Sequence, residues 1–261
     1  MTGKFNPIDV LASVAQVIAS CLPDLRSVAL IGSAAQQLIT RGVLQSARDC
    51  DLVVLLERAF QFGDVVLDVK DIERVVNETP SLPRKVKCTY NGLGDQLDDD
   101  RFLTVDIIPH STRLLTPNDA FTIIDIVHRG YIIITGEDRY APFSSVDIHP
   151  TLCLQRILEI ERYINREHLD NKTHSRYLAK SAILLSSLLV VDHMPSLDKG
   201  EIVRTVVSEH PSLATDLSTA YDIYRGVEFQ RSELLTIHSQ ILVYTKNILN
   251  KRIMRQTNSL H

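Results

Sequence analysis

The chain has 261 residues, of which 44% are hydrophobic and 23% are charged. These proportions are close to the globular average and exclude general disorder, while the length indicates one large domain or two small ones. The net charge of −4 argues against a dedicated duplex-DNA binder, because such proteins usually have a strongly basic face.

The acidic residues are concentrated in the first part of the chain. Residues 1–146 contain 14 Lys and Arg against 19 Asp and Glu, a net charge of −5. Residues 147–261 contain 14 against 13, a net charge of +1. The two parts of the chain therefore differ in the partners that their charge favours.

The cysteines and the hydropathy pattern indicate the compartment. Cys21, Cys50, Cys88 and Cys153 form neither a CxxC pair nor a zinc-site spacing, which predicts reduced thiols in a cytoplasmic protein. No apolar run of the sequence reaches the length of a membrane span, so no membrane partner is predicted.

Short apolar strands alternate with helical periods in the first part of the chain, which predicts a mixed α/β unit. Helices are predicted at residues 8–21, 34–41, 63–77 and 118–129, with Gly42 ending the second. Strands are predicted at residues 27–31, 50–56, 85–90, 102–108 and 131–135. The acidic run from Asp98 to Asp100 is interpreted as a solvated hairpin loop between the third and fourth of these strands.

The pattern changes near residues 142–150, and only helical periods follow. The sequence therefore predicts an α+β protein in two domains. Residues 1–145 would form a small mixed β-sheet with flanking helices, and residues 146–261 an all-α helical bundle. The bundle helices are predicted at residues 150–168, 173–191, 199–209, 212–224 and 232–252.

Asp49 and Asp51 stand two residues apart at the start of the second strand, so both side chains point to one face. Asp is disfavoured in strands, and two carboxylates on one face destabilise a strand unless positive charge lies between them. A divalent cation, which prefers oxygen ligands, is the candidate for that charge.

Asp106 lies within a second apolar strand, and a third acid from a neighbouring strand would complete a site for two cations. Gly32 and Ser33 follow a strand and open a helix, where backbone N–H groups and a hydroxyl can bind phosphate oxygens. Glycine at position 32 lets the backbone approach such a ligand closely.

These motifs, in this order and in these strand and turn contexts, resemble the DNA polymerase β-like nucleotidyltransferase superfamily over roughly residues 1–140. The helical remainder is similar in length and helix order to the C-terminal bundle of aminoglycoside nucleotidyltransferases. Related bundles occur in the nucleotidyltransferases of toxin–antitoxin systems.

The resemblance implies that Asp49 and Asp51 bind two Mg²⁺ ions, that Asp106 binds the catalytic ion, and that Gly32 and Ser33 hold the β- and γ-phosphates of an NTP. ATP is the first choice of nucleotide. The implied reaction transfers a nucleoside monophosphate to a hydroxyl acceptor and releases pyrophosphate. An aminoglycoside-like small molecule is the first choice of acceptor, since the acidic first domain suits a cation. A toxin-like enzyme acting on tRNA or protein, and a non-catalytic NTP-binding or interaction module, are the alternatives.

Further residues carry open interpretations. Lys180, on the central bundle helix, either reaches the triphosphate, as the resemblance implies, or extends to solvent at the helix edge. His110 either lines the acceptor cleft or caps a turn after Pro109. The sequence also departs from the superfamily pattern, because Gln36 and Gln37 stand where a glycine usually follows Gly-Ser. That change bears on the shape of the phosphate site and on the choice of nucleotide.

Overall fold

The structure is a computed structural model that describes residues 7–42, 49–60, 68–78, 85–90, 102–164 and 171–258, without the side chains of residues 7, 49, 163–164 and 171–174. The chain divides into two compact units, Met1–Ser145 and Val146–His261. The first contains a β-sheet with flanking helices and the second is helical in its described part, which confirms the predicted α+β class. No described helix is long and apolar enough to cross a membrane.

Within the described residues, the sheet of the first unit has five strands. They are β1 (Leu25–Ile31), β2 (Asp49–Leu56), β3 (Lys85–Tyr90), β4 (Phe102–Ser111) and β5 (Ile132–Gly136). Their order in the sheet is β3-β4-β2-β1-β5. β2 pairs in parallel with β4, and β4 pairs in parallel with β3. β1 runs antiparallel to both β2 and β5.

The described part of the first unit has three α-helices: α1 (Pro7–Cys21), α2 (Gly32–Arg41) and α3 (Val69–Asn77). Alternate residues of β1 to β4 form a continuous core with buried residues of these helices, because successive strand residues point to opposite faces. The other face of the sheet carries a smaller core of Ala29, Ile31 and Val53, packed with Ile126 and Tyr140. The acids Asp51 and Asp106 alternate with the large core and therefore lie on this second face.

The parallel pairing of β3 and β4 makes the predicted hairpin between them wrong, because a hairpin joins antiparallel strands. The run from Asp98 to Asp100 itself lies outside the described residues. β4 also continues beyond the predicted end, through Pro109 to Ser111. β3 ends opposite Ile107, so among the described strands this part of β4 pairs with β2 alone, and proline is tolerated where one side of a strand is unpaired.

The helix boundaries of the first unit depend on local interactions, and some differ from the predicted ones. Gly42 ends α2 with φ of +67°, which confirms the predicted cap. Asp68 begins α3 by accepting hydrogen bonds from the backbone N–H groups of Lys70 and Asp71, whereas residues 63–67 of the predicted longer helix lie outside the described residues. The helix predicted over residues 118–129 is a π-helix, Phe121–His128.

The second unit consists of packed helices in its described part. The described helices are α4 (Pro150–Ile164), α5 (Asn171–Ser187), α6 (Lys199–Glu209), α7 (Ala214–Tyr224) and α8 (Arg231–Asn258). α5 packs against each of the other four and contains a long buried apolar stretch, as expected of a central helix. The prediction placed its C-terminal end at residue 191, but the helix ends at Ser187 and turns follow to His193.

Candidate active site

The acids predicted from sequence lie on adjacent parallel strands. In the register of β2 and β4, Asp51 is opposite Asp106, and Asp49 is opposite Thr104. Lateral neighbours in a sheet share a face, so the structure brings Asp51 and Asp106 together on the second face. Asp49 precedes Asp51 by two residues on β2, which places it on that face; its side chain lies outside the described residues.

Gly32 lies directly against the carboxylate of Asp51. Its φ is +76°, and a Cβ atom built on it would be 2.5 Å from Oδ2 of Asp51. The backbone conformation therefore favours glycine, and any other side chain would displace the Asp51 carboxylate. This contact joins two of the predicted motifs, the Gly-Ser turn and the acid-bearing strand.

The first turn of α2 is suited to bind an anion. Ile31 precedes the helix in an extended conformation, and its apolar side chain offers no acceptor to the first backbone N–H groups. Ser33 is exposed on this turn. The N–H groups and the positive end of the helix dipole favour a phosphate here, next to the carboxylate that Gly32 contacts.

Asp106 is 9% exposed, and a hydroxyl group supports it. Thr89, opposite it on β3, donates a hydrogen bond of 3.0 Å from Oγ1 to Oδ1 of Asp106. A buried carboxylate is costly unless it is hydrogen-bonded or paired, so this contact lowers the cost of keeping an acid inside the sheet.

Sequence reasoning missed two polar residues of β3 on this face, Lys87 and Thr89. Lys87 is opposite Thr104, in the same lateral row as Asp49, and is half-buried. The signal was present in the strand 85–90, where Lys85, Lys87 and Thr89 alternate with residues of the large core. Lys87 and Asp49 thus lie on either side of Thr104 in the sheet.

The donor chemistry of the site fits Mg²⁺, because Asp51 and Asp106 provide carboxylate oxygens from neighbouring strands. Among the described side chains there is no group of three His, Cys, Asp or Glu residues that is arranged to hold a metal ion. The predicted set needs the Asp49 carboxylate as its third member, and that side chain is not among those described.

His110 is part of strand β4 and of a buried cluster, which corrects its predicted role as the cap of a turn after Pro109, whereas its place in the acceptor cleft stays a prediction. It lies inside β4 and is 6% exposed, with Nε2 at 3.1 Å from Oγ1 of Thr122 and 3.3 Å from Oδ2 of Asp119. Burial by itself raises the pKa of Asp119, but the hydrogen bond and charge of His110 and the hydrogen bonds from Thr122 outweigh it, and the pKa is lowered. The cluster anchors the π-helix to the sheet.

Gln36 shows how α2 is held without the glycine of the superfamily pattern. Its Nε2 donates a hydrogen bond of 3.1 Å to the backbone carbonyl of Arg129, just after the π-helix. The guanidinium of Arg129 in turn donates to Asp125 at 2.8 Å, in a buried ion pair. The N-terminal half of α2 is thus held by a hydrogen bond to the π-helix side.

Lys180 lies on α5 in the helical unit and is half-buried. Its contact with a triphosphate stays a prediction. The other predicted nucleotide-binding residues, Gly32 and Ser33, belong to the first unit.

No known protein family matches the chain, and no curated protein matches its sequence. A solved structure is similar: the crystal structure of spectinomycin adenyltransferase AAD(9) from Enterococcus faecialis with ATP and spectinomycin has a TM-score of 0.52 at 12% sequence identity. The similarity covers 93% of this chain and 98% of that chain. At this identity the likeness establishes fold, and the chain accordingly shares the fold of an adenyltransferase.

Proposed function

We propose that the protein is a Mg²⁺-dependent nucleotidyltransferase that moves a nucleoside monophosphate from an NTP, with ATP as the first choice, to a hydroxyl of a small molecule. The observation that carries this proposal is the meeting of three motifs on one sheet face. Gly32 contacts the carboxylate of Asp51, and Asp51 is in register with Asp106.

The arrangement supports phosphoryl chemistry because it combines anion-binding N–H groups with carboxylates. The first turn of α2, with Gly32 and Ser33, would bind the β- and γ-phosphates. Asp49, Asp51 and Asp106 would hold Mg²⁺, which supplies neutralisation of triphosphate charge when it is bound. Thr89 keeps the Asp106 carboxylate oriented through its hydrogen bond.

The proposed reaction is a displacement at the α-phosphorus. The acceptor oxygen forms a bond to that phosphorus while the bond to the oxygen that bridges the α- and β-phosphates breaks, and pyrophosphate leaves. The proton of the acceptor hydroxyl passes to a carboxylate, for which Asp106 is the candidate. Most of the rate enhancement would come from positioning and charge stabilisation, as in other phosphoryl transfers.

A cationic small molecule is the proposed acceptor, with aminoglycosides as the first class. The first part of the chain has a net charge of −5, which attracts cations and repels a long polyanion. The structurally similar AAD(9) was crystallised with ATP and spectinomycin, which supports a nucleotide and a small-molecule acceptor for this fold.

The test is transfer of label from each of the four α-labelled NTPs, in the presence of Mg²⁺, to a panel of acceptors. The panel contains aminoglycosides and spectinomycin, bulk tRNA and cell protein. The proposal predicts labelled aminocyclitol or aminoglycoside with the wild-type protein and none with the Asp49→Asn/Asp51→Asn variant.

The other outcomes distinguish the alternatives. Label that appears in tRNA or protein, and is lost in the same variant, would support nucleotidyl transfer but contradict a small-molecule acceptor. Binding of Mg²⁺–NTP without label in any acceptor would contradict transfer to the tested classes and favour a non-catalytic nucleotide-binding module. A circular dichroism spectrum of the variant checks that it is folded.

A further inference from the structure

The helical unit contains a cavity of about 280 Å³ that the proposed reaction does not use. It lies between the segment that leads into α4, the turn after α5 and the C-terminal part of α8. Its volume is near the lower limit of typical ligand sites, which is about 300 Å³. A ligand that fills it would therefore be small.

One wall of the cavity is positively charged. Arg252 and Arg255 line it from α8, together with Leu249 and Gln256. Residues three, four and seven apart lie on one side of a helix, so Leu249, Arg252 and Gln256 form a stripe along the cavity, and Arg255 flanks it. Within the described residues, neither arginine forms an ion pair with a carboxylate.

Asp192 is the acid that lines the cavity, and a histidine engages it. Oδ1 of Asp192 is 2.9 Å from Nδ1 of His193, whose pKa is raised by the hydrogen bond to Glu209 first and by Asp192 second. Two arginines against this one aspartate leave the lining with an excess of positive charge.

The rest of the lining is mainly apolar. Leu188 and Val191, both buried, line the cavity from the turn after α5, and Ile148, Pro150 and buried Cys153 line it from the start of α4, with His149 as the polar exception. Apolar side chains and two guanidinium groups in one cavity are complementary to a ligand with a hydrophobic body and an anionic group. Guanidinium binds both carboxylate and phosphate, with two hydrogen bonds to either.

We propose that this cavity is a binding site for a small organic anion, a carboxylate or a phosphate monoester with a compact apolar body. The lining residues belong to the helical unit, whereas the acids Asp51 and Asp106 belong to the first unit. The positively charged lining would repel a cationic acceptor. The proposal therefore concerns a second ligand and does not rest on the proposed reaction.

The test is binding of three probes to the full-length protein, phenyl phosphate, benzoate and inorganic phosphate, measured by calorimetry at low ionic strength. Methyl-labelled methionine reports the position by NMR, because Met194 and Met254 lie within two residues of Asp192 and Arg252, which line the cavity. We expect phenyl phosphate or benzoate to bind, to shift at least one of these two signals, and to bind more tightly than inorganic phosphate.

The matched variants locate the site. Arg252→Gln/Arg255→Gln should weaken the tighter organic probe by about tenfold or more, because charge-assisted hydrogen bonds are lost. Lys251→Gln removes a positive charge from the same helix outside the cavity lining and should change affinity by less than about twofold. Equal weakening by both variants would overturn the site in favour of general electrostatic attraction. Binding of neither organic probe, or tighter binding of inorganic phosphate, would overturn the ligand class.

Discussion

Gly32 is the residue at which the candidate site is most constrained. The position combines a left-handed backbone with a carboxylate where a side chain would begin. A sequence pattern predicts that Gly-Ser opens a helix, but not that the glycine touches Asp51, since that contact depends on the pairing of β1 and β2. The distance to Asp51 is therefore information that only the fold supplies.

Replacing Gly32 with Ala should lower transfer activity by about a hundredfold, because the added Cβ displaces the Asp51 carboxylate and small misplacements of reacting groups are that costly. Gly42→Ala is the matched control. Its φ is also positive, +67°, but a Cβ there meets nothing within 4 Å. Both variants should lose about 1–2 kcal/mol in unfolding free energy from backbone strain. Equal activities of the two variants would contradict the contact as the reason for glycine.

Asp119 should make stability depend on acidic pH. Its pKa is lowered in the folded protein, so the ionised carboxylate stabilises the fold above its unfolded pKa of about 4, and this stabilisation is lost as the pH falls through the folded pKa. Urea unfolding should show Asp119→Asn to be less stable than wild type by about 1–3 kcal/mol at pH 7. That difference should shrink below about pH 4. A difference in unfolding free energy that does not change with pH would show that the charge of the Asp119 carboxylate does not stabilise the fold.

At the scale of elements, β3 shows that a hydrophobic pattern predicts a strand but not its place in the sheet. The alternation of residues 85–90 predicts a strand, yet not its parallel pairing or its position at the edge of the sheet. Both depend on contacts with residues distant in sequence. α3 covers this edge, because Glu73 accepts a hydrogen bond of 2.8 Å from the backbone N–H of Cys88. An edge strand whose backbone groups are covered in this way does not pair with strands of other chains.

Asn77 should be the main residue that stabilises this edge. Its side chain donates to the backbone carbonyl of Val86 and accepts from the N–H of the same residue, each at 2.8 Å. Asn77→Ala should lower the unfolding free energy by about 2 kcal/mol and increase aggregation, because it leaves two backbone groups of β3 without these partners. Lys70→Ala, exposed on the same helix, should change stability by less than about 0.5 kcal/mol in urea unfolding. Similar losses in both variants would contradict a specific role for Asn77.

At the scale of the whole molecule, the pattern of the sequence predicts the α+β class and the change from strands to helices near residues 142–150. The π-helix was not predicted, because its apolar residues also fit an ordinary helix and its anchor, the buried His110 cluster, comes from a separate strand. The end of α5 was missed because the apolar pattern continues through turns, where packing and not periodicity sets the conformation. The sequence singles out Asp51 and Asp106 because carboxylates in apolar strands are unusual, whereas Lys87 and Thr89 are ordinary strand residues whose position beside these acids depends on the pairing of β3 with β4.

The position of the label in the product tests the central claim most directly. The wild-type protein would be given ATP labelled at the α- or the γ-phosphate, with Mg²⁺ and the acceptor identified in the panel, beside Asp106→Asn as the variant of the proposed proton acceptor. The account predicts that the α label joins the acceptor, that the γ label leaves in pyrophosphate, and that the variant transfers neither. Transfer of the γ label to the acceptor, or full activity of Asp106→Asn, would contradict nucleotidyl transfer by this set of acids.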